Sequence, residues 1–364
     1  MKHILLATTA LVATAGVASA EIALSGSAEM GIAGGEHTET QFHTDIDVTF
    51  TMTGESDNGL TFGASIDLDE SNDTDAFGAS TQGGETIFIA YGPAKLTMGD
   101  VDGAFDAAMQ EAIIGSSIGD NHEHIGYNGN GGLDGAYDGQ IAQFAYSASG
   151  FTGYLSVELD DAGWLDASDD EEYGSPIWGV GVKYTADLGG TALNIGLGYQ
   201  SGDEDHAERQ YGSIFDTVGA EIDSEDTLSD VIGDLGAAAR SSVWGLSLGT
   251  TFNNGIQAIF NYSVAEYAEA NNGGDLAEFT GNSESHWGLA FGYSMNALTV
   301  GVNYGEYENF LGLEDLKASG WGLAADYDLG GGLSAQFGYG DSKIELDGDS
   351  IDDSTWSLGL AMSF

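Results

Sequence analysis

Large apolar residues recur at every second position throughout this chain, and that period constrains the fold more than any other feature. Residues 354–364, STWSLGLAMSF, put Trp356, Leu358, Leu360, Met362 and Phe364 on one face of a strand. Thr355, Ser357, Gly359, Ala361 and Ser363 fall on the other. Sixteen such segments are readable, at 22–33, 41–53, 60–68, 84–91, 94–99, 140–148, 151–159, 176–186, 191–200, 240–252, 256–266, 284–294, 298–307, 319–328, 332–341 and 354–364. A soluble sandwich can show this period. A membrane barrel must show it, because lipid lies on one side of its wall and water on the other.

The connections sort into two alternating classes. Short ones, such as Gly92-Pro93, Ser149-Gly150, Asn253-Asn254-Gly255 and Asn296-Ala297, carry tight-turn chemistry. Long acidic ones span 34–40, 69–83, 100–139, 160–175, 201–239, 267–283, 308–318 and 342–353. Short turns at one end and long loops at the other are the pattern of an up-and-down transmembrane barrel, and a sandwich has no reason for it. Aromatic residues cluster at segment ends, among them Tyr91, Trp178, Tyr199, Trp244, Tyr293 and Trp321, as interfacial girdles require.

Residues 1–20 read as an export signal, with Lys2 and His3 ahead of the apolar stretch 4–17 and Ala18-Ser19-Ala20 as the cleavage site. The working domain is then 21–364. It has no cysteine, so no disulfide contributes to its stability. It has no apolar run long enough for a spanning helix, which leaves a closed barrel as its route into a membrane. All 59 acids lie in this part, against six bases once Lys2 is removed. That balance excludes nucleic acid as a partner. Two readings of it compete: a field that draws cations to a conduit, and a solvated surface adapted to salt.

Several stretches resemble the general porins of Gram-negative bacteria, of the Rhodobacter type. They are Glu21–Gly31 (EIALSGSAEMG), Phe50–Ser65 with its hairpin GESDNG, Lys95–Asp100 (KLTMGD) and Ala325–Leu333 (ADYDLGGGL), together with the terminal Phe364. The resemblance implies an all-β, sixteen-stranded antiparallel barrel in the outer membrane. It implies a homotrimer, in contact with lipid and lipopolysaccharide, that passes small hydrophilic solutes by diffusion. It makes 100–139 an inward-folded third loop that narrows the pore, and Phe364 the assembly signal.

In that loop the candidate constriction residues are Asp100, Asp102, Asp106 and Glu111. Residues 104–114 (AFDAAMQEAII) are expected to form a short helix, with Asp100 and Asp102 suited to cap it. The family sets a cluster of arginines against this loop. Here the matching segment reads HTDIDV, and parity points Asp45 and Asp47 into the lumen. The lumen-facing bases are Lys95 and Lys183. A mostly negative throat should favour cations. No cofactor or resident metal is expected. Acidic runs at 67–75, 166–172 and 347–353 could hold Ca2+ loosely, but none has EF-hand spacing. His122 and His124 flank Glu123 and are read as ordinary loop residues. No nucleophile elbow is present, so an enzyme is not expected. The alternative reading is a secreted, acidic, calcium-binding β-rich surface protein or adhesin.

Overall fold

The computed structural model describes residues 21–69, 81–137, 139–160, 175–202, 240–267, 283–346 and 348–364. The expected signal segment 1–20 and most of the long connection 201–239 lie outside them.

Sixteen strands form one closed antiparallel sheet in which each strand pairs with its neighbours in sequence and the first pairs with the last. They are β1 (Glu21–Gly35), β2 (Gln41–Glu55), β3 (Thr61–Asp69), β4 (Thr81–Tyr91), β5 (Ala94–Asp100), β6 (Gln140–Ala148), β7 (Phe151–Glu158) and β8 (Ile177–Asp187). They continue as β9 (Thr191–Ser201), β10 (Arg240–Phe252), β11 (Ile256–Tyr267), β12 (Glu284–Met295), β13 (Leu298–Glu308), β14 (Lys317–Gly330), β15 (Leu333–Leu346) and β16 (Asp349–Ser363). All sixteen segments read from the sequence are present. The closing register runs from Ser27↔Ser363 to Gly35↔Thr355, so no strand edge is left unpaired. No described helix is long and apolar enough to cross a membrane.

One expectation fails at the last hairpin. The connection 342–353 was expected to be a long loop. Instead β15 and β16 stay paired out to Leu346↔Asp349. Polar pairs such as Lys343 opposite Asp352 suit the outer face of a ribbon standing in water, while Ile344 opposite Ile351 packs the inner face on Tyr307, Phe310 and Leu316, so the ladder runs on past the apolar band.

Parity decides which side of the wall each residue meets. Ile22, Leu24 and Met30 of β1, Ile87 and Ile89 of β4, and Leu197 of β9 are exposed on the outside. In a soluble protein so much exposed apolar surface would aggregate, whereas in lipid it is the buried surface. Two aromatic girdles bound it. At the long-loop end lie the tilted or edge-on aromatic pairs Trp178–Tyr199, Trp244–Tyr262, Trp287–Tyr304 and Trp321–Tyr339, with ring centroids 5.1–5.7 Å apart. At the short-turn end Tyr146, Phe151, Tyr293 and Tyr327 are exposed on the same outer face. The upper girdle runs from β8 to Trp356 of β16. Among the described residues it has no Trp or Tyr on β1–β7.

The apolar core lies inside the barrel, between the wall and the third loop. Phe105, Met109 and Leu133 of the loop pack on Ile177, Val243, Ala265 and Tyr267 of the wall. The molecule is thus apolar outside, packed along part of its inner wall, and open along the remainder.

Leu197 is 49% exposed on the outer face, between girdle residues. Leu197→Arg should destabilise the lipid-folded barrel by about 2–4 kcal/mol. Thr185→Arg, on the inner face of β8, should change stability by less than about 0.5 kcal/mol. Denaturant unfolding from lipid vesicles measures both, and equal effects would mean the faces are assigned the wrong way round.

Candidate constriction site

After β5 the chain turns into the barrel and runs round the inner wall, out and back, before β6 begins. The outward limb starts with a single helical turn, α1 (Ala104–Ala108), which is shorter than the expected 104–114. Beyond Met109 the limb is extended, because its backbone groups bond to the wall. The amide N–H of Gln110, for example, donates to Ser247 Oγ at 2.9 Å. Asp100 and Asp102 do not cap α1. Its N-cap is Gly103, which has no side chain to offer. The free N–H groups are taken from across the loop and from the wall: Gly103 N–H donates to Asp134 Oδ2 at 2.7 Å and Ala104 N–H to Ser156 Oγ at 2.8 Å.

What lets the limb lie so close is glycine. A Cβ at Gly181 of β8 would fall on Ala104 O, at Gly196 of β9 on Ala108 O, and at Gly301 of β13 on Ile114 O. The tip, Ile118, lies over Gly359 of β16 and Gly31 of β1. The return limb follows a second row, where a Cβ at Gly340 of β15 would fall on Glu123 O and one at Gly322 of β14 on His122 O. The return limb also keeps a period of two. His122, His124 and Gly126 are buried against the wall, while Glu123 and Tyr127 are half-buried on the lumen side.

Two carboxylate walls result. On the loop, a recess of about 380 Å³ is lined by Asp102, Asp106 and Glu111 with Gln110, Met109 and Lys183 of β8. Burial pushes the Asp106 carboxyl up to about 7, and the charges of Asp102, Asp134 and Glu111 push the same way, opposed by Lys183. Burial likewise raises Glu123 to about 7, with Asp120 and Glu111 adding to it. Tyr127 donates its hydroxyl to Glu111 Oε2 at 2.6 Å. The other wall is β2 and β3, which the loop leaves bare. There the carboxylate oxygens of Asp45, Asp47 and Asp69 lie within 4.8 Å of one another. Ser27 Oγ donates to Asp47 at 2.9 Å and Thr49 Oγ1 to Asp67 at 3.1 Å. The loop tip joins this wall through Glu29, which accepts the Gly119 N–H at 2.8 Å and contacts His43 at 3.1 Å.

Asp102, Asp106, Glu111 and Lys183 therefore come together on the loop side, and Asp45 and Asp47 lie together on the bare wall. Asp100 does not join them. It ends β5, and its carboxylate accepts the Gly84 N–H at 3.2 Å. Lys95 faces inward, but near the Gly92-Pro93 turn, with its ammonium 4.8 Å from the Phe88 ring centroid. Phe364 follows β16 with its N–H on Gly26 O at 2.9 Å and its ring exposed. The acidic runs 67–75 and 166–172 fall largely outside the described residues.

Sequence reasoning missed one anchor of the loop. Arg240, at the start of β10, bonds Glu284 Oε1 (3.1 Å), Tyr267 Oη (2.9 Å) and Gly132 O of the return limb (3.2 Å). Glu284 is 3% exposed, and its other oxygen accepts from Tyr267 Oη and Leu311 N. These partners are scattered over the chain and share no local motif. The glycine rows were visible as a shift of inner-face composition, from Asp and Thr on β2 to Gly on β8–β16, and were read merely as the water side.

A closed barrel with an apolar outer band, an inward loop and a lumen lined by carboxylates defines a transmembrane channel. The family described as Gram-negative porin matches residues 7–345, and the chain belongs to that family. It is 28% identical over 340 residues to a porin of Rhodobacter capsulatus, covering 89% of this chain and 95% of that one. Among solved structures it is similar to a triple mutant of the Rhodopseudomonas blastica porin at TM-score 0.58, with 19% identity over 94% of this chain and 100% of that one. A second mutant of the same porin gives TM-score 0.58 at 20% identity. The Rhodobacter-type resemblance seen in the sequence is thereby borne out, as is the sixteen-stranded fold.

Arg240→Ala would leave Glu284 buried without its cation. It should destabilise the folded barrel by about 3–5 kcal/mol. Adding Glu284→Gln to Arg240→Met should recover most of that loss. Thermal melting of the detergent-folded protein compares the two, and an Arg240→Ala melt equal to the parent would remove the anchor from this account.

Proposed function

We propose that this porin passes small hydrophilic solutes by diffusion and favours cations, and that it carries out no catalysis. The observation that supports this best is the pair of facing carboxylate walls. Among the described residues the inner-face bases of the wall are Lys95, Lys183, Arg240, the partly shielded His43 and the buried His286. Arg240 is consumed by Glu284, and Lys95 lies away from the recess. His43 is paired with Glu29 and His286 with Gly126 O, which leaves Lys183 against Asp102, Asp106, Glu111, Asp45, Asp47 and Asp69. A throat of one sign concentrates counterions and repels co-ions. Divalent ions such as Ca2+ enter this reading as counterions in transit, not as residents.

The same reading places the protein in the outer membrane as a homotrimer. The arc β1–β7 lacks the Trp and Tyr of the upper girdle and contains the shortest strand, β5, which suits a subunit face better than a lipid face. On β13–β16, beyond the girdle, the outward pairs Lys317–Glu308 (2.8 Å) and Lys343–Glu345 (2.7 Å) lie where lipopolysaccharide headgroups would be. Family membership does not favour the calcium-binding adhesin, which would fold without lipid or detergent.

The charge on the throat follows pH with a definite sign. A carboxyl raised to about 7 binds its proton more tightly in the folded loop than in the unfolded chain. Its contribution to loop stability is therefore present at low pH and is lost as pH rises through 7. Its charge appears over the same interval. Zero-current potentials in a KCl gradient should report cation preference that grows between pH 5 and pH 8. Asp106→Asn should flatten that rise. Asp45→Asn with Asp47→Asn should weaken the preference at all these pH values, most at low salt. Anion preference in the parent would overturn the reading.

A further inference from the structure

The seam between the return limb and the wall is polar around His122 and His124, with Ile125 packed beside them on the apolar cluster of Tyr307, Leu316, Ala318 and Ile344, and the His124 ring is wired as a neutral one. His124 Nε2 meets Asn303 Oδ1 of β13 at 2.7 Å, and the Asn303 amide donates to His122 O at 3.3 Å. The amide's orientation is thus held by both bonds, which makes His124 Nε2 the donor. Its Nδ1 is buried with no hydrogen-bond partner. His122 Nδ1 is 2.8 Å from Ser117 Oγ. A proton on His124 Nδ1 would be an N–H in a buried space with nothing to receive it.

The charged groups around these rings offer little compensation. His122 faces Asp120, which lies toward the open lumen and is the one acid that favours its charge. His124 faces His122. Beyond His124 lies His286 of β12, bonded to Gly126 O at 3.0 Å and in tilted ring contact with Tyr307, with Arg240 beyond it already paired with Glu284. Two positive rings here would repel each other. The neighbouring Glu123 points to the other side of the limb, away from the seam.

We infer that the return limb of the third loop is a proton-released latch, in which charging of His122 and His124 detaches residues 121–127 from β13–β15 and moves them into the lumen, narrowing or closing the channel. The direction of movement follows from topology. The wall behind is a closed ladder, so the lumen is the only space available. There the charged rings gain water and the carboxylates of the bare wall. Burial holds His124 down to about 4 and lowers His122 as well, so the latch is shut at neutral pH. Glu123 and Asp106 lose charge at higher pH than this, so selectivity should change before the channel closes.

This inference rests on the channel reading, and one experiment separates their failures. Single channels of the mature protein are recorded in a planar bilayer from pH 7.5 to pH 3.5. Absence of channels at any pH would overturn the channel reading. The expected result is full conductance at neutral pH with reversible closures that become frequent below about pH 5. His122→Gln with His124→Gln retains the polar contacts without a titrating ring, and should stay open to pH 3.5. Asn303→Asp places a carboxylate against His124 and should lower the closing pH by about one unit or more. Asn303→Asp is isosteric with the parent and gives a second reading if the histidine variant fails to fold. Channels that stay open at acid pH in the parent, or close at the same pH in these variants, would overturn the latch.

Discussion

Hydrocarbon offers the peptide backbone no hydrogen-bond partner, and every other property of this protein is arranged around that fact. A sheet meets the condition only if it has no edge, so β1 must find β16. Once the sheet is closed, each strand has one lipid face and one enclosed face, and the period of two follows. The outer face is then restricted to apolar residues and girdle aromatics. Whatever distinguishes this channel from another of the same size must be written on the alternate residues that point inward.

Those inward residues form two arcs of different composition. From β8 round to β1, β11 excepted, the wall presents glycines, and the third loop lies on them with backbone against backbone. From β2 to β3 it presents Asp, Thr and Ser to open water. The division is a packing consequence. A forty-residue segment brought inside a barrel must satisfy its own peptide groups, and it can reach wall hydroxyls such as Ser156 and Ser247 only where no Cβ keeps it away. The apolar contacts of Phe105, Met109 and Leu133 hold the first part of the loop, and Arg240 holds the last part through Gly132. Between these fixed ends Ala112, Ile114, Ile118 and Ile125 pack on the wall, and the remaining contacts are side-chain hydrogen bonds, those of the histidines sensitive to protonation.

Legibility in the sequence divides along the same lines. The strands were readable because each carries its own period, and the short turns because Gly and Asn mark them locally. Asp45 and Asp47 were readable because parity alone turns them inward. The helix was overestimated. Ala, Met and Gln in 104–114 favour a helix by propensity, yet the wall offers the backbone better partners after Met109, and tertiary contact overrides propensity. The caps were misassigned for a related reason. Asp134, thirty-one residues away from Gly103, takes the N–H that a neighbouring Asp was expected to take. Arg240 and Glu284 are brought together only by the register of three strands, which no local spacing announces.

The loop's charge is best understood as the product of two opposed requirements. To narrow a pore, a segment must leave the wall and approach the axis, which partly desolvates whatever it carries. To select ions, it must carry charge. Asp106 and Glu123 meet both requirements poorly, and their raised carboxyls are the sign of it, since burial and neighbouring acids each penalise the ionised form. A family arginine cluster would relieve that penalty from across the lumen. Here the facing wall is acidic, so relief comes from mobile cations or from protons. On the proposed cation-favouring reading the throat is held charged by the ions it passes, and salt acts on it twice: as the permeant species and as the screen that lets its carboxylates remain ionised at close range.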